Sequence, residues 1–221
     1  MGLRLLCAAS LVAGLLAGLC VPATADESNL NYDEMLEQLK SGFTNIDYAQ
    51  FREAYAESAH YDPYFQTDQH KTLVAAVKAN DCPTVMTAAN AILAVNFTDI
   101  EAHVLDADCA RRTGDASTSR FHRAVARGLL SSIAASGDGK EPGTAFVVIT
   151  VDEEYAWLFA DGDHVRDRTL VANGGHQCDA VDITDSQGNH ATVYFNVDLP
   201  MAWLAKKVAT TASAPPARQA Q

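Results

Sequence analysis

The stretch Thr144–Ala160, TAFVVITVDEEYAWLFA, decides how this 221-residue chain is read. It is dense in β-branched and aromatic residues, the types that suit a pleated, half-buried surface. Asp152 divides it into two strand-length runs, TAFVVITV and EEYAWLFA. Downstream, RTLVA (168–172), QCDAVDIT (177–184) and ATVYFNV (191–197) continue the pattern. Their junctions, Asn173-Gly174-Gly175 and Asp185-Ser186-Gln187-Gly188-Asn189, have the composition of tight turns. Five strands on short connections predict an antiparallel β-meander over residues 136–207, closed by a short helix from Leu199 to Lys206. A meander of this kind leaves one apolar face to be covered, and the preceding segment is the nearest cover.

That segment, residues 26–135, reads as helices. Tyr32, Met35, Leu36 and Leu39 recur at helical spacing, as do Tyr48, Phe51 and Tyr55. Leu73, Val74 and Val77 mark a further helix. Val85, Met86, Ala89, Ile92 and Leu93 follow Pro83, a first-turn proline. Ile100, His103, Val104 and Ala107 form the next face, and Phe121, Val125, Leu129 and Ile133 the last. Asp47, Asp81 and Asp115 each precede a helix start, at equal intervals of 34 residues. On that spacing, AILAVNFTDIEAHVLDADCARRTGD (91–115) resembles a tetratricopeptide repeat, with Phe97 where such repeats usually carry proline and His103 where a large aromatic is expected. The expected fold is α+β, with tetratricopeptide-like helical hairpins packed on the β-meander.

The hairpin orders the cysteines. Cys82 opens its first helix and Cys109 lies near the end of its second, and in an antiparallel pair these ends meet. A Cys82–Cys109 bridge, rather than two buried thiols, is expected. It closes a loop of about 27 residues and stabilises by roughly 3 kcal/mol on the chain-entropy picture. Cys178 is left as a thiol.

The chain ends point to export. Arg4 precedes an apolar run from Leu5 to Cys20, and Ala23-Thr24-Ala25 places small residues where a signal peptidase reads. Cleavage between Ala25 and Asp26 is expected, with an uncleaved anchor as the alternative. Residues 208–221, rich in Ala, Thr, Pro and Gln, read as a disordered tail. With 16 Lys+Arg against 28 Asp+Glu the net charge is −12. A chain this acidic is a poor match for a nucleic-acid backbone or an anionic lipid surface, both of which select basic patches. A periplasmic or secreted protein, not inserted in a membrane after signal cleavage, is the expectation.

Three strings carry a family resemblance: HRAVARGLLSSIAASGDGKEPGTAFVVITVDEEYAWL (122–158), VYFNVDLPM (193–201) and FREAYAESAHYDPY (51–64). Together they resemble an exported bacterial family known as domain of unknown function 4919. Glu141 stands where a hydroxyl residue is expected after Gly-Asp-Gly-Lys. The resemblance implies an exported α+β protein and assigns no activity.

Candidate chemistry is sparse. Asp138, in the glycine-flanked turn after the last helix, presents a carboxylate at the rim of the sheet; a capping turn is the plainer reading. Glu153 and Glu154, as neighbours on a strand, point to opposite faces, so one of them can be buried and act as an acid or base, although a solvated turn edge is the plainer reading. With His122 leading into the same junction, His122, Asp138 and Glu153 make the candidate catalytic set. His103, Asp106 and His122 are the candidate metal ligands, two imidazoles and a carboxylate suited to zinc, although a satisfied core histidine is the commoner fate of His103. No phosphate loop, serine elbow or His-Glu-x-x-His string occurs, and no cofactor is implied. The leading expectation is therefore a non-enzymatic envelope protein that binds a protein or peptide partner. The alternative is a periplasmic hydrolase or metal-dependent enzyme with its site at the helix–sheet junction.

Overall fold

Among the described residues six helices come first: α1 (Tyr32–Lys40), α2 (Tyr48–Glu57), α3 (Asp68–Lys78), α4 (Cys82–Leu93), α5 (Ile100–Thr113) and α6 (Ala116–Ala135). The computed structural model describes residues 31–65 and 67–213; the expected signal and its Ala25–Asp26 cleavage site lie outside them. Each helix begins where a short polar side chain takes over orphan amides. Asn31 and Glu34 form a reciprocal capping box on α1. Asp47, Asp81 and Asp115 are the N-caps of α2, α4 and α6. Gly114, at φ 90°, ends α5 in the left-handed conformation that costs glycine nothing.

Helices α3 to α6 pack as successive hairpins, α3 on α4, α4 on α5, and α5 on α6. The Cys82–Cys109 disulfide joins the start of α4 to the end of α5, with Cα atoms 5.1 Å apart. Helix α2 lies on α6, where the Tyr48 ring occupies the space above Gly128: a Cβ built there would stand 2.2 Å from a ring carbon.

The second half departs from the expected meander. A short 3₁₀ turn (Pro142–Thr144) leads to β1 (Phe146–Val147), then α7 (Val151–Asp161), β2 (His164–Asn173), β3 (His176–Thr184), β4 (His190–Asn196) and α8 (Asp198–Ser213). Among the described residues there are four strands, in the order β1-β4-β3-β2. β2, β3 and β4 are antiparallel neighbours, whereas β1 pairs parallel to β4, with Phe146 opposite Phe195. The sheet is mixed because the run EEYAWLFA is helix and not strand. Thr150 caps it by accepting the Glu153 amide at 3.2 Å, three acids fill its first turn, and Gly162 closes it at φ 83°. Those terminal signals outweigh the β-propensity of its aromatic residues. Helix α7 separates β1 from the hairpins, so β1 reaches the sheet beside β4 rather than beside its successor.

α8 also runs past Val208, where composition predicts a disordered tail; its alanines favour helix. One core joins the two halves: Leu129 and Ile133 of α6, Val148, Ile149, Leu158, Val181 and Phe195 belong to a single buried cluster. Cys178 is a free, buried thiol whose Sγ lies 3.6 Å from the Pro142 carbonyl.

Candidate functional site

The seam between helices and sheet is fastened by the two adjacent glutamates of α7. On a strand they would be on opposite faces; on a helix they are separated by about 100° and each reaches a different half. Glu153 faces the helices. Arg52 of α2 donates through Nε to Oε1 at 2.7 Å and through Nη2 to Oε2 at 2.6 Å. The same guanidinium donates to the Val147 carbonyl at 2.8 Å and the Ser132 hydroxyl at 3.3 Å. The Ile149 amide adds a further bond to Oε2 at 2.9 Å. This buried bidentate pair joins α2, α6, β1 and α7, and every oxygen of the carboxylate has a partner.

Glu154 faces the sheet. It is 1% exposed, and its Oε2 accepts from Arg168 Nη2, which also meets Asp179 Oδ2 at 2.8 Å. One cation thus stands between two carboxyl groups. Burial pushes the Glu154 carboxyl up to about 8; the Arg168 charge opposes this and Asp179 reinforces it. At neutral pH Glu154 is therefore largely the neutral acid. Its Oε1 and the Arg168 Nε are buried without a partner. The guanidinium carbon of Arg168 also lies 5.6 Å from the Tyr155 ring centre.

Above the seam, residues 56–65 and α8 form the walls of a groove of about 730 Å³. Trp203 Nε1 donates to the Tyr61 carbonyl at 3.0 Å, and the Tyr61 hydroxyl donates to the Ile149 carbonyl at 2.6 Å. These bonds connect α8 to the loop and the loop to the strand region. The Tyr64 ring lies 5.9 Å from Trp203, and its hydroxyl is raised chiefly by burial and then by the nearby Asp179, against the Arg168 charge. Val95, Phe65, Leu199 and Trp203 give the groove apolar surface, and Lys206 and Lys207 stand at its rim. Lys207 Nζ sits 4.9 Å over the Trp203 ring. A smaller groove of about 500 Å³ lies on the other side of residues 57–60 and carries the carboxylates of Asp33, Glu53 and Glu57.

The histidines and Asp106 come together, but in a line. His103 Nε2 donates to the Phe97 carbonyl at 3.0 Å, so its Nδ1 accepts from His122 Nδ1 at 2.7 Å. The other nitrogen of His122 faces Asp106 Oδ2 at 3.7 Å, and that oxygen accepts from Asn90 at 3.0 Å. His122 stands in the middle with one nitrogen toward each neighbour, so no point is shared by all three donors. Among the described residues no group of three or more His, Cys, Asp or Glu is placed to hold a metal ion. Burial pushes His103 down to about 3, with the His122 charge adding to it, and lifts Asp106 to about 6 against the Asn90 hydrogen bond.

His122, Asp138 and Glu153 belong to three separate networks. Asp138 is exposed and accepts from the Thr144 hydroxyl at 2.5 Å and the Lys140 amide at 3.1 Å, bonds that lower its carboxyl in that order. It organises the turn before β1. Glu153 is committed to Arg52, and His122 to His103 and Asp106. Glu154 was singled out in the sequence beside Glu153 as a carboxyl that burial could raise, whereas Arg168, Asp179 and Trp203 were not separable from other polar and aromatic residues. The run Thr-Val-Asp-Glu-Glu, a cap followed by first-turn acids, was the available signal for α7.

A family model described as a domain of unknown function (DUF4919) matches residues 23–204. No curated protein matches the chain, and no solved structure does.

Proposed function

The chain belongs to the DUF4919 family, whose function is unknown, and on that premise we propose that it is a non-enzymatic, exported interaction protein that takes a peptide or protein segment into the seam groove. The observation that carries this reading is the groove itself. It is about 730 Å³, it is walled by segments from both halves of the chain, and it leaves Val95 53% and Leu199 38% exposed beside an aromatic ring. Exposed apolar side chains gathered around a tryptophan, with cations at the rim, suit a partner carrying apolar side chains and some acidic ones.

Export is supported by the N-terminal run to Ala25 and by the disulfide, which an oxidising compartment preserves. No helix among the described residues is long and apolar enough to cross a membrane. The tetratricopeptide-like reading of the helical half draws support from N-caps at Asp47, Asp81 and Asp115 and from the successive hairpins. An enzyme at the junction draws none from His122, Asp138 and Glu153, whose partners are all different.

The test is affinity recovery from envelope extract with the wild-type protein and with a Leu199→Asp, Trp203→Ala variant. A defined partner captured by the wild type and lost with the variant is expected. Recovery of the same partner by both proteins would refute the groove as its seat.

A further inference from the structure

Helix α6 carries Arg120, Arg123 and Arg127 along its outer face, all three exposed. Their spacing places them within about 60° of one another around the helix and within roughly 11 Å along it. Among the described residues none of the three makes an ion pair or a side-chain hydrogen bond. The contrast with the other described arginines is complete. Arg52 and Arg168 bind glutamates, Arg111 binds Asp108, Arg112 binds Asn80, and Arg166 meets His190. A protein of net charge −12 therefore holds three uncompensated guanidinium groups in one stripe.

The complement lies on the same molecule. The smaller groove between α1 and α2 presents Asp33, Glu53 and Glu57 in about 500 Å³, with no lysine or arginine among its lining residues. Glu53 and Glu57 are exposed and four residues apart on α2, the same interval as Arg123 and Arg127 on α6. Both pairs therefore have a rise of about 6 Å. α2 packs on α6 through Tyr48 above Gly128 and through the Arg52–Ser132 bond, so stripe and groove belong to neighbouring helices.

We propose that the arginine stripe of one chain docks on the carboxylate groove of a second copy, reciprocally about a two-fold axis. Arg123 and Arg127 pair with Glu53 and Glu57 of the other chain, and Arg120 with its Asp33. An isologous contact satisfies both surfaces at once. Bidentate guanidinium–carboxylate pairs supply its direction, and its rim of exposed charge keeps it weak. The overall −12 charge of each copy opposes approach, but that repulsion acts over distance. It is screened at a Debye length of about 8 Å near 0.15 M salt, while paired charges in contact are screened less. The contact shares Glu57 with the lining of the seam groove but uses none of that groove's α8 residues, so loss of the dimer through Arg123 and Arg127 is separable from loss of a partner held at Leu199 and Trp203.

Sedimentation velocity on the purified protein from 1 to 200 µM tests it. A concentration-dependent dimer is expected at 0.15 M salt and a monomer at 1 M. Arg123→Glu with Arg127→Glu weakens dimerisation at least tenfold, as does Glu53→Arg with Glu57→Arg. All four changes in one chain restore the dimer by exchanging the charges. The milder Arg123→Ala, Arg127→Ala variant, checked for native circular dichroism, gives the same loss should the reversals misfold. A wild-type chain monomeric throughout, a dimer indifferent to these changes, or a folded fourfold variant that stays monomeric would each overturn the proposal.

Discussion

Replacing Glu154 by glutamine keeps the side chain's shape and removes its proton. The folded protein holds that proton with a pKa raised from 4.5 to about 8, chiefly through burial. A group raised on folding contributes stability that is present below its ordinary value and lost as pH rises through the folded one. His103 works in the opposite sense. Held down from 6.5 to about 3, it costs stability as pH falls below 6.5. Asp106, raised from 3.8 to about 6, has finished its own loss by then. Between about pH 6.5 and 8 the decline in stability therefore belongs to Glu154 and to His70, whose imidazole is raised from 6.5 chiefly by its hydrogen bond to Asp99. Thermal melts at pH 6, 7, 8 and 9 should show the wild-type midpoint falling across that window and the Glu154→Gln midpoint falling less steeply, by the His70 contribution alone. Equal slopes in the two proteins would remove Glu154 from the explanation. A buried carboxyl at position 153 or 154 was legible in the sequence, but its partners were not: residues 154, 168 and 179 share no motif spacing, and only the hairpin register places Asp179 opposite Leu170, two positions from Arg168.

At the scale of elements, the helical half was readable because its information is local. Each helix carries its own cap and period, and the 34-residue recurrence of Asp47, Asp81 and Asp115 falls on three observed N-caps. The cysteine pairing followed from the antiparallel course of α4 and α5, since the bridge needs only adjacent helix ends. Cys82→Ala with Cys109→Ala should cost about 3 kcal/mol in urea unfolding, the loop-closure figure for a bridge across some 27 residues. A change below about 1 kcal/mol would place the hairpin's order in its packing alone. The sheet half was harder for the opposite reason. α7 is rich in tyrosine, tryptophan and phenylalanine, which strands also favour, and its helical state is decided by Thr150 and Gly162 at its two ends. The β1–β4 pairing joins residues about 50 positions apart, a distance over which hydrophobic pattern says nothing of partner.

Over the whole molecule, the adjacent glutamates of α7 explain why helices and sheet share a surface at all. Glu153 is tied to Arg52 and Glu154 to Arg168, so one helical turn is anchored in both halves. The groove above depends on that arrangement, because its walls are residues 56–65 and 199–207, separated by most of the chain. Sequence alone placed the unusual surface at the junction, but near Asp138, where the structure has a capping turn; the groove lies instead between the 56–65 loop and α8. Unfolding of the purified protein, followed together by far-ultraviolet circular dichroism and by the emission of Trp157 in α7 and Trp203 in α8, tests this most directly. If α7 binds the halves into one unit, both signals change in a single coincident transition. Helices that lose their signal at a denaturant concentration where the tryptophans remain native would contradict a shared seam and the groove built on it.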